Sequence, residues 1–240
     1  MNVLRFESES AWIACVCSLW RDRLQTNPGL KMCLPSGTTP AGIYAGMSKS
    51  ARAGLASFAW ASVFALDEFG GLASDDPGRT RHTLQRQLID AVDLPASRFY
   101  FLDPDVPDVN HHCTAYDEAI GDGFDLMLLG IGLNGHLGMN EPGSAPDSPT
   151  RRVELHGSTV QSAARYFAHQ NVPQWGLTVG LQAVLASKEV WLLANGPAKA
   201  GIIQQTVRGE IDPSNPASLL RRHENCSLFV DAEAGGLLLD

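Results

Sequence analysis

Residues 124–143 read FDLMLLGIGLNGHLGMNEPG. The first six, Phe124 to Leu129, are an apolar run broken only by Asp125, the pattern of a strand buried on both faces of a parallel sheet. Behind it, five glycines, two asparagines, a histidine and a glutamate fall within fourteen residues. Glycines at that density let the backbone turn sharply and approach a ligand closely. Open α/β sheets hold their ligands at the carboxyl ends of strands. His136 and Glu141 therefore stand where chemistry is expected, although a glycine-rich turn with one hydrogen-bonded histidine has the same pattern.

Outward from this stretch, strand and helix patterns alternate. Towards the N terminus the spacing predicts helices over 8–25, 38–47, 83–92 and 110–120 and strands over 30–34, 63–66 and 98–101. A polar segment covers 70–79. Towards the C terminus it predicts a strand over 151–155, a helix over 177–185, a strand over 189–194, a helix over 197–207 and a last strand over 228–231. The expected architecture is α/β: a Rossmann-like, mostly parallel sheet with helices on both faces, in one domain over 1–240.

Composition sets limits on partners. The chain has 240 residues, 44% of them apolar and 18% charged, which suits a folded core. A formal net charge of −8 argues against nucleic acid, which demands a basic surface. A small phosphorylated substrate is compatible, because it needs only a few local cations and N–H groups. The opening MNVLRFESESAWIACVCSLW has no leader pattern and no run approaches a membrane span, so a cytoplasmic protein without a membrane partner is expected. Five cysteines (15, 17, 33, 113, 226) lack metal spacing and read as free thiols.

Three further segments carry candidate chemistry. Ser36-Gly37-Thr38-Thr39-Pro40 joins a strand to a helix, as either an anion cradle or a plain N-cap. Leu66-Asp67-Glu68-Phe69 ends a strand with adjacent carboxylates, of which at most one can face a shared cleft; solvated acids are the alternative. Lys199 falls in the first turn of an expected helix, where the dipole disfavours a cation unless an anion compensates it. Arg165 offers bidentate contacts to the same anion, though either cation alone reads simply as surface charge.

In order, SGTTP (36–40), LDEF (66–69), GIGLNGHLGMNEPG (130–143), ARYF (164–167), LTVGLQAVL (177–185), NGPAKA (195–200) and PASLLRRH (216–223) resemble the glucosamine-6-phosphate deaminase (isomerase) family. That family shares its fold with 6-phosphogluconolactonases and ribose-5-phosphate isomerases. Lactonases tend to carry GHTASLFP after the shared Gly-His, whereas Gly135 to Pro142 here fits the GHxGxNEP of deaminases. The resemblance implies a phosphorylated amino-sugar substrate held by Ser36, Gly37, Thr38, Arg165 and Lys199. It implies that His136 opens the pyranose ring, with Glu141 orienting and charging the imidazole, and that Asp67 moves a proton from C2 to C1. Neither a metal nor an organic cofactor is implied. Asn134 replaces an aspartate found in some members and is expected to make a polar contact only. A Ser-Tyr pair common in the family is missing from 76–82, which leaves open an epimeric substrate, galactosamine 6-phosphate, addressed by Arg79 or Arg81. A lactonase and a non-catalytic sugar-phosphate sensor are the other readings. Members range from monomers to allosteric hexamers; the short chain leans away from the hexamer and leaves a homo-oligomer open.

Overall fold

The computed structural model describes residues 1–164, 167 and 172–238. Its centre is a seven-stranded sheet whose neighbouring strands all run parallel. Along the chain these strands are β1 (Asn2–Arg5), β2 (Lys31–Leu34), β3 (Ser62–Ala65), β5 (Phe99–Tyr100), β6 (Leu126–Gly130), β9 (Val190–Ala194) and β10 (Cys226–Val230). Their spatial order is β1-β10-β9-β6-β2-β3-β5. Progression runs one way from β2 and the other way from β6, so the crevice between these two is the topological switch point.

Alternation along the central strands explains their continuous apolar sequence. Met32 and Leu34, Leu126 and Leu128, and Trp191 and Leu193 enter one core layer. Cys33, Met127, Leu129, Leu192 and Ala194 enter the opposite layer. Helices α1 (Glu9–Thr26), α2 (Ala41–Arg52) and α3 (Thr80–Gln87) cover the first face through Trp12, Trp20, Tyr44 and Leu84. Helices α4 (Val109–Ile120), α6 (Leu181–Ala186) and α7 (Ala200–Arg208) cover the second through Tyr116, Val184 and Ile203. Fully buried Trp20 meets Tyr44 and Phe58 edge-on at 6.1 and 5.9 Å, contacts each worth about 0.5–1.5 kcal/mol beyond the area they bury. Among the described residues no helix is long and apolar enough to cross a membrane.

The expected α/β class holds, with helices on both faces, but four elements differ. The chain opens on a strand, β1, which was not anticipated because an edge strand exposed along most of its length shows no alternation. The expected helix over 177–185 splits: Trp175–Thr178 is strand β8 and only Leu181–Ala186 is helical. An apolar run does not distinguish the two, and Gly180 sits so close to the Ser148 and Pro149 backbone that a Cβ would meet it at 2.0 Å. Helix α5 (Gly157–Ala163) has no apolar period to announce it. Finally, β8 pairs antiparallel with β4 (Asp67–Phe69) and β7 (Arg151–Glu154), forming a second, three-stranded sheet.

Helix α3 begins earlier than the apolar spacing suggests, at Thr80 rather than 83, because Glu68 caps it. The buried Glu68 carboxylate accepts the N–H groups of Thr80 at 2.9 Å and Arg81 at 3.0 Å. The pair of adjacent acids thus divides as strand geometry requires: Glu68 turns inward as a cap, and Asp67 faces the cleft.

Candidate active site

A cleft of about 600 Å³ opens along the carboxyl ends of β2, β3, β6 and β9. It gathers Ser36, Gly37 and Thr38 from the loop after β2, Asp67 from the start of β4, His136 from the glycine loop and Lys199 from the turn after β9. Residues separated by 163 positions in sequence, from 36 to 199, are brought to one concavity by parallel strands ending at one edge.

The loop at 36–39 leaves its polar groups unspent. Helix α2 has Pro40 at its N-cap and no side chain capping it, so neither Ser36 nor Thr38 spends its hydroxyl there. Among the described residues, the N–H groups of Gly37, Thr38 and Thr39 donate to no protein acceptor. Unspent donors at a helix N terminus suit an anion. The Lys199 ammonium lies in the same cleft and donates to the Ile131 carbonyl at 2.5 Å. Arg165, the other expected clamp, lies outside the described residues.

The imidazole is held by a relay. His136 Nδ1 is 2.7 Å from Asn134 Oδ1, which also accepts the His136 main-chain N–H at 3.2 Å. The Asn134 amide nitrogen then donates to Glu141 Oε2 at 2.9 Å. A carboxylate only accepts, so the amide nitrogen must face Glu141 and the amide oxygen must face His136. Nδ1 therefore carries the proton, and the Nε2 lone pair is left for the cleft. Thr159 adds its hydroxyl 3.1 Å from Nδ1.

Glu141 acts on the ring in two ways. Glu141 stands 3.6 Å from Nδ1, beyond hydrogen-bond reach, so its hold on the ring passes through Asn134. Asn134 makes polar contacts to both and bridges them. Glu141 also favours the charged imidazole. Burial, with the positive charges of Lys199 and His156, outweighs Glu141 and lowers the His136 pKa.

Asp67 is shifted the opposite way. Burial first, and the neighbouring Glu68 charge second, push its carboxyl up to about 7. Burial raises Glu68 as well, against three backbone N–H donors and Arg79. A carboxyl poised near neutrality, in one cleft with an imidazole of lowered pKa, suits proton transfer to and from carbon and oxygen.

Arg79 and Arg81 do not face the cleft. The Arg79 guanidinium is buried on the carbonyls of Leu72 and Ala73 and on Asp105, at 2.6–2.8 Å. Arg81 stacks on Phe101, 3.6 Å from the ring centroid. Both brace the 70–82 segment. The charged side chain of α3 that does line the cleft is Arg86, held by the Pro77 carbonyl at 2.9 Å.

Sequence reasoning missed Thr159, Gln87 and Asn140. Asn140 is fully buried, donating to the Leu137 and Val179 carbonyls and accepting from Arg151, so it pins the glycine loop to the small sheet. Only its place inside the NEP motif hinted at this.

The family model for glucosamine-6-phosphate isomerases/6-phosphogluconolactonase matches residues 9–229. The chain belongs to that family. Within it, this member is 36% identical to a glucosamine-6-phosphate deaminase of Bacillus pumilus, covering 99% of this chain and 100% of the relative. It is 34% identical to one from Shouchella clausii, over 99% and 97% of the two chains. Among solved structures, a monomeric glucosamine-6-phosphate deaminase superposes with a TM-score of 0.94 at 32% identity, covering 99% of this chain and 100% of that one. A 6-phosphogluconolactonase from Thermotoga maritima superposes at 0.76 with 17% identity, a likeness of fold alone.

Proposed function

We propose that this family member deaminates and isomerises a hexosamine 6-phosphate, converting glucosamine 6-phosphate and water to fructose 6-phosphate and ammonia. The observation that carries the reading is the pairing, in one cleft, of a carboxyl raised to about 7 with an imidazole whose Nδ1 is committed to Asn134. The deaminases at 34–36% identity support it, and Glu141, absent from the lactonase pattern, sets it against lactone hydrolysis.

The substrate phosphate rests on the free N–H groups and hydroxyls of 36–38, with Lys199 and Arg165 neutralising it. His136 Nε2 takes the anomeric hydroxyl proton and returns it to the ring oxygen, which opens the pyranose. Asn134 and Glu141 hold the ring and stabilise the imidazolium as it forms. Asp67 removes the C2 proton to give an enolamine and delivers the proton to C1. The resulting imine at C2 adds water and expels ammonia. The test is direct: purified protein with glucosamine 6-phosphate releases ammonia and ketose phosphate in equal amounts. Absence of both products, also with galactosamine 6-phosphate, refutes the reading.

Two expected outcomes follow from the charges. Asp67 acts ionised, and its ionised fraction grows as pH rises through about 7. Hence kcat/KM falls roughly tenfold per unit below that point and levels off above it. A limb near 4 in the pH profile would place the base elsewhere. Lys199→Met removes a cation from the anion end while leaving both proton-transfer groups in place. KM is expected to rise about tenfold or more, with kcat little changed; unaltered steady-state constants would remove Lys199 from the site.

A further inference from the structure

Helix α3 is eight residues long, about 12 Å at 1.5 Å per residue, and both its ends touch the site. Its first turn is seated on Glu68, the neighbour of Asp67. Its last residue, Gln87, reaches across to the loop after β2, where Nε2 donates to the Gly37 carbonyl at 2.9 Å.

That bond fixes more than one atom. In a trans peptide the C=O and the following N–H point in opposite directions, and the described chain has no cis bonds. Drawing the Gly37 carbonyl towards α3 therefore turns the Thr38 N–H away from α3, with no protein acceptor among the described residues. Gly37 itself has φ of 118°, a conformation that L side chains rarely adopt, so the loop needs an external hold to keep this one arrangement. The other end of the Gln87 amide does nothing comparable. Its Oε1 is buried without a hydrogen-bond partner among the described residues, so the donated bond to Gly37 is the amide's one polar attachment. An unpaired buried acceptor is costly to keep.

We infer that Gln87 is a positioning residue for the anion cradle, holding the Gly37–Thr38 peptide so that the Thr38 N–H stays presented to the substrate phosphate. The inference rests on the phosphate reading of the cradle given above. Through α3 the helix acts as a strut of set length between that cradle and the strand end that carries Asp67. Gln87 acts on the phosphate end only, since the Glu68 cap at the far end is independent of it.

The test compares wild type with Gln87→Met, which keeps the side-chain length, deletes the donor and also deletes the unpaired oxygen. Calorimetric titration with sorbitol 6-phosphate, and with sorbitol as the phosphate-free control, reads the cradle. Steady-state kinetics on glucosamine 6-phosphate read the split between KM and kcat. Binding of sorbitol 6-phosphate and KM are each expected to weaken about tenfold, the size of one lost hydrogen bond, with kcat, the pH limb and the melting temperature held. Gln87→Glu is expected to weaken binding further, because a carboxylate opposes both the Gly37 carbonyl and a phosphate dianion. If Gln87→Met does not fold, Gln87→Asn, one methylene too short to reach Gly37, carries the same comparison. Wild type that binds no sorbitol 6-phosphate overturns the phosphate reading and this inference together. Wild type that binds it while the variants bind equally well, or variants that lose kcat at constant KM, overturn the role of Gln87 alone.

Discussion

Replacing Asp67 with asparagine should abolish turnover and, at alkaline pH, make the protein more stable. The first effect follows from removing the group proposed to carry the proton between C2 and C1, a loss of about 10²–10⁴ for a general base. Binding of the phosphate should survive, because the cradle is built from other elements. The second effect follows from linkage. The folded carboxyl ionises near 7, against 3.8 for an ordinary aspartate, so between those values the native state keeps a proton that the unfolded chain releases. Stability contributed by this group is complete below about 4 and is lost as pH rises to about 7. At pH 8 the ionised carboxylate costs the fold on the order of a few kcal/mol, which a neutral amide of the same shape does not. Calorimetric unfolding at pH 4.5 and pH 8 checks the sign. The variant should gain at pH 8 and gain little at pH 4.5. An equal change at both values would show that the carboxyl is not held protonated by its surroundings.

Gly132→Ala should damage catalysis almost as much while leaving the substrate phosphate bound. A Cβ at this position would lie 2.2–2.5 Å from three atoms of the His136 ring, far inside contact distance. The ring cannot simply slide aside, because Nδ1 is tied to Asn134 and Gly132 N–H is itself bonded to the His136 carbonyl at 2.9 Å. The methyl therefore has to displace either the imidazole or the relay behind it. A displacement near 1 Å in a proton-transfer group costs about a hundredfold in rate. The expected result is a fall of that order in kcat with KM within a few-fold of wild type. A fully active Gly132→Ala enzyme would mean that the ring is free to move, and the relay could not then set its tautomer.

Much of this site was legible before any coordinates because its parts are strand ends. An apolar run such as 126–129 identifies a central strand, and polar residues just beyond it fall at the carboxyl edge by construction. That logic located Ser36 to Thr38, Asp67 and His136 with no knowledge of how the strands were ordered. It failed where the deciding contact is distant in sequence. Thr159 meets His136 across 23 residues, and Gln87 meets Gly37 across 50. Neither partner carries a local signal that it is needed. The same limit explains Arg79 and Arg81. Positive residues beside an expected cleft look like ligands for a phosphorylated sugar, and only the carbonyls of Leu72 and Ala73 and the face of Phe101 show them to be braces. The direction of the His136 shift was also beyond sequence, since Glu141 is visible there and burial is not.

Asp67 lies where the chain leaves the parallel sheet at Ala65 and enters the antiparallel one, opposite Thr178. That partner arrives only after 178 of the 240 residues have been made. Until then the strand that begins at Asp67 lacks its antiparallel neighbour β8. The setting of the candidate base therefore depends on a strand 111 positions further along the chain, 178 against 67.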